Sequence, residues 1–425
     1  MTATLFSLLG TLFLLRVPIA ICLALATVAI MMTKGDFAVF MLAQRMFAGL
    51  HHSTLMAIPG FIFAGAIMAK GGVSKYLIEA LRAWLGHITG GLSVVTVLAC
   101  MIFAAISGSS PATAAAVGSI LIPGMVAAGY PRHYAMGLVA ASGTLGILIP
   151  PSIPLIIYGT IAEESIGKLF AAGVIPGLLL GGVLLVTAII VAKVKGYGGD
   201  PKADWPTRWR ASRKAFWGAI LPFLILGGIY TGAVTPTEAS VVAAAYSLFV
   251  SIFIYREMSL ATFRLVMKDT VNTTSMIFLI IAGAMLFSLY LTNESIPQSV
   301  AMWIGDLNLS FWGFMLLINL MFFVMGTFLE AIAIILITLP ILLPIVKSMG
   351  IDPIHFAIIM TVNMELAMIT PPVGLNLFVV SGVSRAPLGE AVKGVLPFIL
   401  IMIAVLFILI GFEDLSMYLT KFVGY

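Results

Sequence analysis

Two short polar turns interrupt apolar stretches that are otherwise long enough to cross a membrane. The first turn, residues 107–111 (SGSSP), joins two apolar arms of a predicted helical pair over residues 91–128. Non-helical backbone at membrane depth is tolerated only inside protein or beside a water-filled cavity. We expect Ser110 to cap the second arm and Pro111 to fit its first turn, leaving carbonyls of the first arm free. Free carbonyls and hydroxyls suit a hard cation such as Na⁺, and the exposed N–H groups of the second arm suit an anion.

An ordinary external turn between two spanning helices is the alternative interpretation of this pair. A second kind of interruption favours membrane depth instead. The first break, residues 143–155 (GTLGILIPPSIPL), lies within a predicted helix that begins near His133. Because proline has no N–H group and clashes with the preceding turn, we expect the helix to stop near Gly143 and to resume with Pro151 in its first turn. The carbonyls of residues 142–146 would then lack partners within their own helix.

The same arrangement recurs later in the chain. The second turn, residues 326–330 (GTFLE), ends the first arm of another predicted pair, and the second break, residues 365–376 (ELAMITPPVGLN), interrupts the helix that follows. A proline kink in a packed helix is the simpler interpretation of any one of these prolines. Two double-proline breaks at equivalent positions instead indicate a site near the middle of the membrane. The critical residues of the second break are Thr370, Pro371, Pro372, Gly374 and Asn376.

Charged residues within apolar segments are the other candidates for chemistry. Glu330 lies at the tip of the second pair, and an ionisable residue at membrane depth is a functional candidate by default. A solvated interfacial carboxylate is the alternative, and Glu365 is a weaker candidate of the same kind. Arg16 is expected to have a structural role. The histidines lack metal-ligand spacing, and the chain carries no nucleophile elbow, P-loop or dinucleotide motif, so we expect neither an enzyme nor an ATPase.

The composition places these turns and breaks in a membrane. The chain has 425 residues, of which 61% are hydrophobic and 9% are charged. Soluble domains contain about a quarter charged residues, and a spanning helix needs about 20 mostly apolar ones. We therefore expect an all-α polytopic membrane protein, in which Cys22 and Cys100 are small buried residues. A net charge of +5 suits basic cytoplasmic loops and does not indicate nucleic acid binding.

An internal repeat relates the two sets of turns and breaks. Pro151 and Pro372 are 221 residues apart, as are Pro176 and Pro397, so the halves cover about 16–193 and 236–412. If each helical pair is re-entrant, five crossings separate equivalent positions, and an odd number inverts the second half, as in many secondary transporters. The predicted spans are 4–32, 53–70, 133–160, 170–193, 215–232, 236–255, 273–291, 355–382 and 394–412, with helical pairs at 91–128 and 310–346 and amphipathic stretches at 36–50 and 260–269.

The distribution of charge gives the predicted orientation. The loop 193–214 holds seven lysines and arginines against two aspartates, so it is expected on the cytoplasmic side. From there, the basic segments 70–90 and 256–272 also fall inside, and the base-free segment 292–309 falls outside. We expect a cytoplasmic N-terminus and an external C-terminus.

Together, the SGSSPAT turn, the LIPPSIPLIIYG and TPPVGLNLFV breaks and the chain length resemble the large membrane subunit of a TRAP (tripartite ATP-independent periplasmic) transporter. The resemblance implies a Na⁺-coupled elevator importer for an organic acid in the bacterial inner membrane, with inverted repeats, two re-entrant hairpins and two discontinuous helices. It also implies two partners, a small four-helix membrane subunit and a soluble periplasmic binding protein. Sialic acid is the favoured substrate and a C4-dicarboxylate the next. A stand-alone Na⁺- or H⁺-coupled anion transporter, or a channel, is the alternative.

The same resemblance implies the site residues. One sodium site would comprise Ser107, Gly108, Ser109, Ser110, Thr113, Gly143, Thr144, Gly146 and Pro150. A second sodium site would comprise Gly326, Thr327, Glu330, Thr370, Pro371, Gly374 and Asn376. The substrate would lie between the two turns with its carboxylate near the N-termini of the second arms, in contact with Ser109, Ser110, Pro111, Pro151, Glu330 and Pro372.

Two bodies would carry these sites. The moving transport domain would comprise residues 91–169 and 310–390. The static scaffold would comprise 1–90, 170–309 and 391–425, with 36–50 and 260–269 as arm helices that brace it against the moving domain.

Overall fold

The chain folds into helices joined by short connections in a computed structural model that describes residues 2–15, 17–34, 39–307 and 309–423. Within these residues there is no β-strand, which confirms the predicted all-α class. Helices satisfy all their interior backbone hydrogen bonds within one segment, so they suit a chain with this apolar composition.

The first part of the chain forms ten helices within the described residues. They are α1 (Thr2–Leu14), α2 (Ile19–Lys34), α3 (Val39–Leu50), α4 (Ala57–Lys70), α5 (Val73–Leu85), α6 (Gly91–Ser107), α7 (Ser110–Ala127), α8 (Arg132–Gly143), α9 (Ile153–Ala162) and α10 (Ile166–Lys195). Two 3₁₀ turns, Ser53–Met56 and Thr144–Ile147, precede α4 and follow α8.

A further ten helices follow in the described residues from 205 onward. They are α11 (Trp205–Tyr230), α12 (Pro236–Phe249), α13 (Leu260–Asn293), α14 (Ile296–Asp306), α15 (Phe311–Gly326), α16 (Ala331–Ser348), α17 (Pro353–Ala367), α18 (Leu375–Ser384), α19 (Leu388–Gly411) and α20 (Asp414–Met417). A π-helical turn, Val250–Ile254, extends α12, and a 3₁₀ turn, Leu419–Phe422, follows α20.

Seven helical segments in the described part of the chain are long and apolar enough to cross a membrane. Their number agrees with a multi-pass membrane protein. The segments are 53–70, 110–127, 166–195, 236–254, 260–293, 331–348 and 388–411.

Two predicted helix boundaries are wrong. The N-terminal span 4–32 is divided into α1 and α2, because Pro18 has no N–H group to donate and disfavours helical backbone at the residue before it. The amphipathic stretch 260–269 and the span 273–291 form the single helix α13, which starts at the N-cap Ser259. The charged pair Lys268 and Asp269 marks no break. Arg16 and residues 36–38 lie outside the described residues.

The order of helices around the first turn recurs around the second. The helical pair α6 and α7, the interrupted helix α8 and α9, and the long helix α10 are matched by α15 and α16, α17 and α18, and α19. The two series also pack against each other, since α8 lies along α19. At the start of both helices, Arg132 Nε donates to Glu390 Oε2 over 2.8 Å.

Glycines allow α8 and α19 to approach each other closely. A Cβ atom on Gly394 would lie 1.8 Å from the carbonyl oxygen of His133, and a Cβ on Gly137 would lie 2.0 Å from the carbonyl carbon of Gly394. Real Cβ atoms do not approach backbone so closely, so the two helices must separate to accept any side chain at either position.

We predict that Gly394→Ala lowers the stability of the protein by about 1–3 kcal/mol, because overpacking forces the backbones of α8 and α19 apart. The measurement is the midpoint of thermal unfolding in detergent. Gly389→Ala is the matched control, since the Cβ it adds to the same helix meets nothing within 4 Å. Equal midpoints for the two variants would contradict the close packing.

Candidate functional site

The first turn is shorter than predicted. Helix α6 ends at Ser107, Gly108 adopts left-handed backbone with φ of 62°, and Ser109 is the N-cap of α7 without a side-chain capping bond. The prediction that Ser110 caps the second arm is therefore wrong by one residue. Ser110 is the first residue of α7, and its Oγ accepts a hydrogen bond from Asn376 instead.

Hydroxyl groups brace this turn from inside. Ser107 Oγ lies 2.8 Å from Thr113 Oγ1, and Thr113 Oγ1 donates to the Ser109 carbonyl over 2.9 Å. Ser107, Ser110 and Thr113 are all buried. The first turn thus gathers the buried hydroxyls of Ser107 and Thr113 around the Ser109 carbonyl, which is a set of hard oxygen donors.

The first break is buried throughout. Helix α8 ends at Gly143, the 3₁₀ turn Thr144–Ile147 follows, and α9 begins at Ile153 after a cis bond between Pro150 and Pro151. The prediction that Pro151 lies in the first turn of the resumed helix is wrong, because Ser152 is the N-cap and Pro154 takes that place. Thr144 Oγ1 donates to the carbonyl of Ala141 over 2.7 Å.

The first turn and the first break are in direct contact. The N–H group of Ile153 donates to the Gly108 carbonyl over 3.3 Å. A Cβ atom on Gly146 would lie 2.6 Å from the Ser109 carbonyl oxygen, and one on Gly143 would lie 2.8 Å from Ala114 Cβ. The residues predicted for the first site are thus brought together: Ser107, Gly108, Ser109, Ser110, Thr113, Gly143, Thr144, Gly146 and Pro150 lie along these two touching segments.

The second turn is less tightly packed. Helix α15 ends at Gly326, Thr327 Oγ1 donates back to the Val324 carbonyl over 2.8 Å, and Glu330 is the half-buried N-cap of α16 without a side-chain capping bond. A Cβ atom on Gly326 would lie 2.4 Å from Ala367 Cβ, so this turn packs on the end of α17.

The second break is more exposed than the first. Pro371 and Pro372, joined by a cis bond, are exposed, whereas Pro150 and Pro151 are buried. Across the second break, the N–H group of Asn376 donates to the Met368 carbonyl over 3.0 Å. Thr370 Oγ1 donates within its own segment, to the Leu366 carbonyl, over 2.7 Å.

Asn376 connects the second break to the first turn. Its Nδ2 donates to Ser110 Oγ over 2.8 Å and to the Ala140 carbonyl over 3.1 Å. Its Oδ1 is buried and has no hydrogen-bond partner among the described residues. The prediction groups Asn376 with the second site, but the structure places its side chain against residues of the first. The two predicted sets are therefore physically joined through this amide.

A cavity of about 740 Å³ lies between the two turns. Ser109 and Pro111 line it from the first turn, Glu330 lines it from the second, and α4 and α13 form the opposite wall. Three of the predicted substrate residues thus face the cavity, while Ser110, Pro151 and Pro372 are not part of its lining.

The ends of two helices, one ion pair and the carboxyl group of Glu330 set the electrostatics of the cavity. Both α7 and α16 begin at its surface without a side-chain cap, so first-turn N–H groups remain available for an anion. Lys70 of α4 pairs with Asp269 of α13 at the lining. Sequence reasoning missed this pair because the two residues are 199 positions apart and no local pattern relates them.

We predict that Ser110 and Asn376 are energetically coupled. In a double-mutant cycle, the loss of stability in the combined Ser110→Ala and Asn376→Ala variant should be smaller than the sum of the two single losses by about 1 kcal/mol. The reason is that each single change already removes their shared bond. Thermal unfolding in detergent measures the coupling. Pairing Asn376→Ala with Thr187→Ala should give additive losses, because Thr187 bonds only to its own helix, at the Val183 carbonyl. Additivity in both cycles would contradict the link.

Comparison with known proteins identifies relatives along nearly the whole chain. Residues 6–415 match the family described as "Tripartite ATP-independent periplasmic transporter, DctM component". A C4-dicarboxylate TRAP transporter large permease from Pseudomonas aeruginosa is 51% identical over 383 residues, covering 90% of each chain. A sialic acid TRAP transporter large permease from Vibrio cholerae is 35% identical over 426 residues, covering 100% of each.

One solved structure extends the comparison to the fold. The YdaH transporter of Alcanivorax borkumensis superposes with a TM-score of 0.61 at 16% identity, covering 87% of this chain and 86% of that one. At this identity the likeness concerns the fold alone, and it agrees with a helical membrane transporter architecture.

Proposed function

The chain belongs to the DctM family of large permeases of tripartite ATP-independent periplasmic (TRAP) transporters, and on this premise we propose that it imports an organic acid by coupling its movement to Na⁺. Members of this family are multi-pass membrane permeases rather than enzymes. They work with a small membrane subunit and a periplasmic binding protein. The proposal concerns the coupling ion, the substrate and the movement.

The observation that carries the proposal is the cavity between the uncapped N-termini of α7 and α16. Each terminus offers N–H groups and the positive end of a helix dipole to an anion. A substrate with two carboxylates would face one terminus with each of them. Lys70 adds a positive charge at the same lining, although Asp269 offsets it.

The coupling ion is proposed to bind behind the turns rather than in the cavity itself. Ser107, Ser109 and Thr113 bring hydroxyl and carbonyl oxygens to one point beside the first break. Asn376 is bonded to Ser110 nearby through its Nδ2 atom, and it adds a buried amide oxygen that has no hydrogen-bond partner among the described residues. Hard cations prefer such oxygen ligands. A second ion would lie at the second turn, where the carboxylate of Glu330 supplies negative charge.

A C4-dicarboxylate is the substrate we propose first. The relative described as a C4-dicarboxylate permease is 51% identical to this chain over 383 residues, whereas the sialic acid permease is 35% identical over 426 residues. Sialic acid, which was expected first from the family resemblance, remains the second candidate. Both are carboxylates, so both would use the same helix termini.

The movement is proposed to be an elevator motion in the bacterial inner membrane. The moving domain would carry the two turns and breaks, and the second half would be inverted, with re-entrant pairs, a cytoplasmic N-terminus and a periplasmic C-terminus. The contact surface for sliding would run between α4 and the first turn, where a Cβ on Gly65 would lie 3.1 Å from Ser107 Cα. Small residues along this surface allow one body to pass the other.

We predict that proteoliposomes containing this chain, its small subunit and its binding protein accumulate radiolabelled succinate when an inward Na⁺ gradient is imposed. Omitting either the gradient or the binding protein should abolish accumulation, and unlabelled N-acetylneuraminate should compete weakly. Uptake that ignores both would indicate a channel and overturn the proposal. Stronger competition by N-acetylneuraminate than by unlabelled succinate would reverse the order of substrates.

We predict that Ser110→Ala and Glu330→Ala each reduce Na⁺-driven uptake by about tenfold or more, because each removes an oxygen group worth at least about 1.4 kcal/mol at its site. Initial uptake rates at several Na⁺ concentrations measure the effect, and membrane expression should stay near normal. Thr187→Ala is the control, since its hydroxyl bonds only within α10. Wild-type uptake rates in both variants would show that the ion sites lie elsewhere in the protein.

A further inference from the structure

Glu365 is a buried carboxyl group that the proposed sites do not use. It lies in the last turn of α17, its side chain is 0% exposed, and neither of its carboxylate oxygens has a hydrogen-bond partner among the described residues. Its counterpart at the 221-residue spacing is Thr144, whose hydroxyl is bonded to the Ala141 carbonyl. The second half therefore carries an ionisable group where the first half carries a satisfied hydroxyl.

The direction of Glu365 follows from its neighbours on α17. Asn363 Nδ2 donates to Asn319 of α15, and Ala367 Cβ would lie 2.4 Å from a Cβ atom on Gly326 at the end of α15. This face of α17 therefore packs on α15. Glu365 is displaced from Asn363 by about 200° around the helix axis. It shares the opposite face with Met368, one turn further on, and Met368 lines the cavity.

No charged partner reaches Glu365 from the elements packed against α17, which are α9, α10, α15, α16, α19, α20 and the 3₁₀ turn Thr144–Ile147. Helix α15 and the 3₁₀ turn carry no titratable residue. The titratable groups on the remaining elements lie near their ends, apart from Tyr158, which bonds to the Pro353 carbonyl at the far end of α17. They are Lys168, Lys193 and Lys195 of α10, Glu330 and Lys347 at α16, Glu390 and Lys393 of α19, Asp414 of α20, and His355 of α17 itself, which bonds to Ser416.

The ionised form of Glu365 is disfavoured in this setting. A carboxylate without hydrogen bonds or a counter-ion in an apolar interior is far more costly than the neutral acid. A sodium ion would need several further oxygens. The hydroxyl one turn earlier on this face of α17, Thr361, bonds to the Ala357 carbonyl over 2.7 Å and would supply only one of them. The neutral acid, with the proton on one carboxyl oxygen, is the form that fits.

We propose that Glu365 is a proton-binding site of the transport domain and that this chain carries a proton inward together with its substrate. The proposal rests on the proposed import function and adds a second coupling ion to it. An O–H bond forms when the carboxylate takes a proton from water in the cavity, one helical turn away past Met368. The same bond breaks when the domain faces the other side and the proton returns to water there.

The test compares the wild type with Glu365→Gln in proteoliposomes that contain both membrane subunits and the binding protein, with radiolabelled succinate outside and a pH-sensitive dye inside. The wild type should acidify the interior as succinate enters, and its uptake should fall as the external pH rises. The variant resembles the protonated acid, so it should retain uptake while internal acidification falls to the level of protein-free liposomes. Glu163→Gln, at an exposed carboxyl beyond the end of α9, is the matched control.

A second measurement is independent of transport. Infrared spectra of the purified wild-type membrane complex should contain the carbonyl band of a protonated carboxylic acid. This band should be absent from the spectrum of Glu365→Gln and present in that of Glu163→Gln. Acidification by Glu365→Gln equal to wild type, wild-type uptake without acidification, or an unchanged acid band would each overturn the proton site. Absence of any Na⁺-driven uptake by the wild type, with the acid band still lost in the variant, would overturn the import function and leave the proton-binding group in place.

Discussion

Every backbone group released from a helix inside an apolar protein must find a partner in another segment, because no bulk water is there to replace it. The interrupted helices of this chain obey that constraint. The first break is closed by Ile153, whose N–H group bonds to Gly108 of the first turn. The amide of Asn376 covers the Ala140 carbonyl near the end of α8. Each interruption is therefore stable only because another part of the chain lies against it.

The same constraint explains why glycine recurs at the turns and breaks. Where one segment packs directly on the backbone of another, glycine leaves free the space that a Cβ would fill, and Gly146 stands where any Cβ would collide with the Ser109 carbonyl. The hydroxyls of Ser107 and Thr113 fill the remaining space with donors and acceptors. In the proposed function, the oxygen atoms of such a turn would hold the cation and the N–H groups at the cavity would hold the anion, so the two proposed sites would lie back to back.

Local chemistry made the turns, the breaks and the repeat predictable. Proline pairs, glycines and a polar run in an apolar sequence have strong effects on the few residues around them, so the ends of α6, α8, α15 and α17 fall close to the predicted places. The cap was misplaced by one residue because Ser109 and Ser110 are adjacent hydroxyls and only packing selects between them. The bond between Ser110 and Asn376 joins residues 266 positions apart, and the wall formed by Lys70 and Asp269 is equally distant in sequence. Such contacts depend on how helices pack, and no single-segment pattern encodes them. Helix α13 was predicted as two separate segments because the adjacent charges of Lys268 and Asp269 resemble the end of a helix.

The two breaks differ in how much space surrounds their proline pairs. Pro150 and Pro151 are buried, so the first break can change its conformation only if the segments around it also move. Pro371 and Pro372 are exposed, so the proline pair of the second break has open space on one side. Although the repeat gives both halves the same succession of helices, the first break is therefore enclosed by its neighbours, whereas the second break can change its conformation without displacing them.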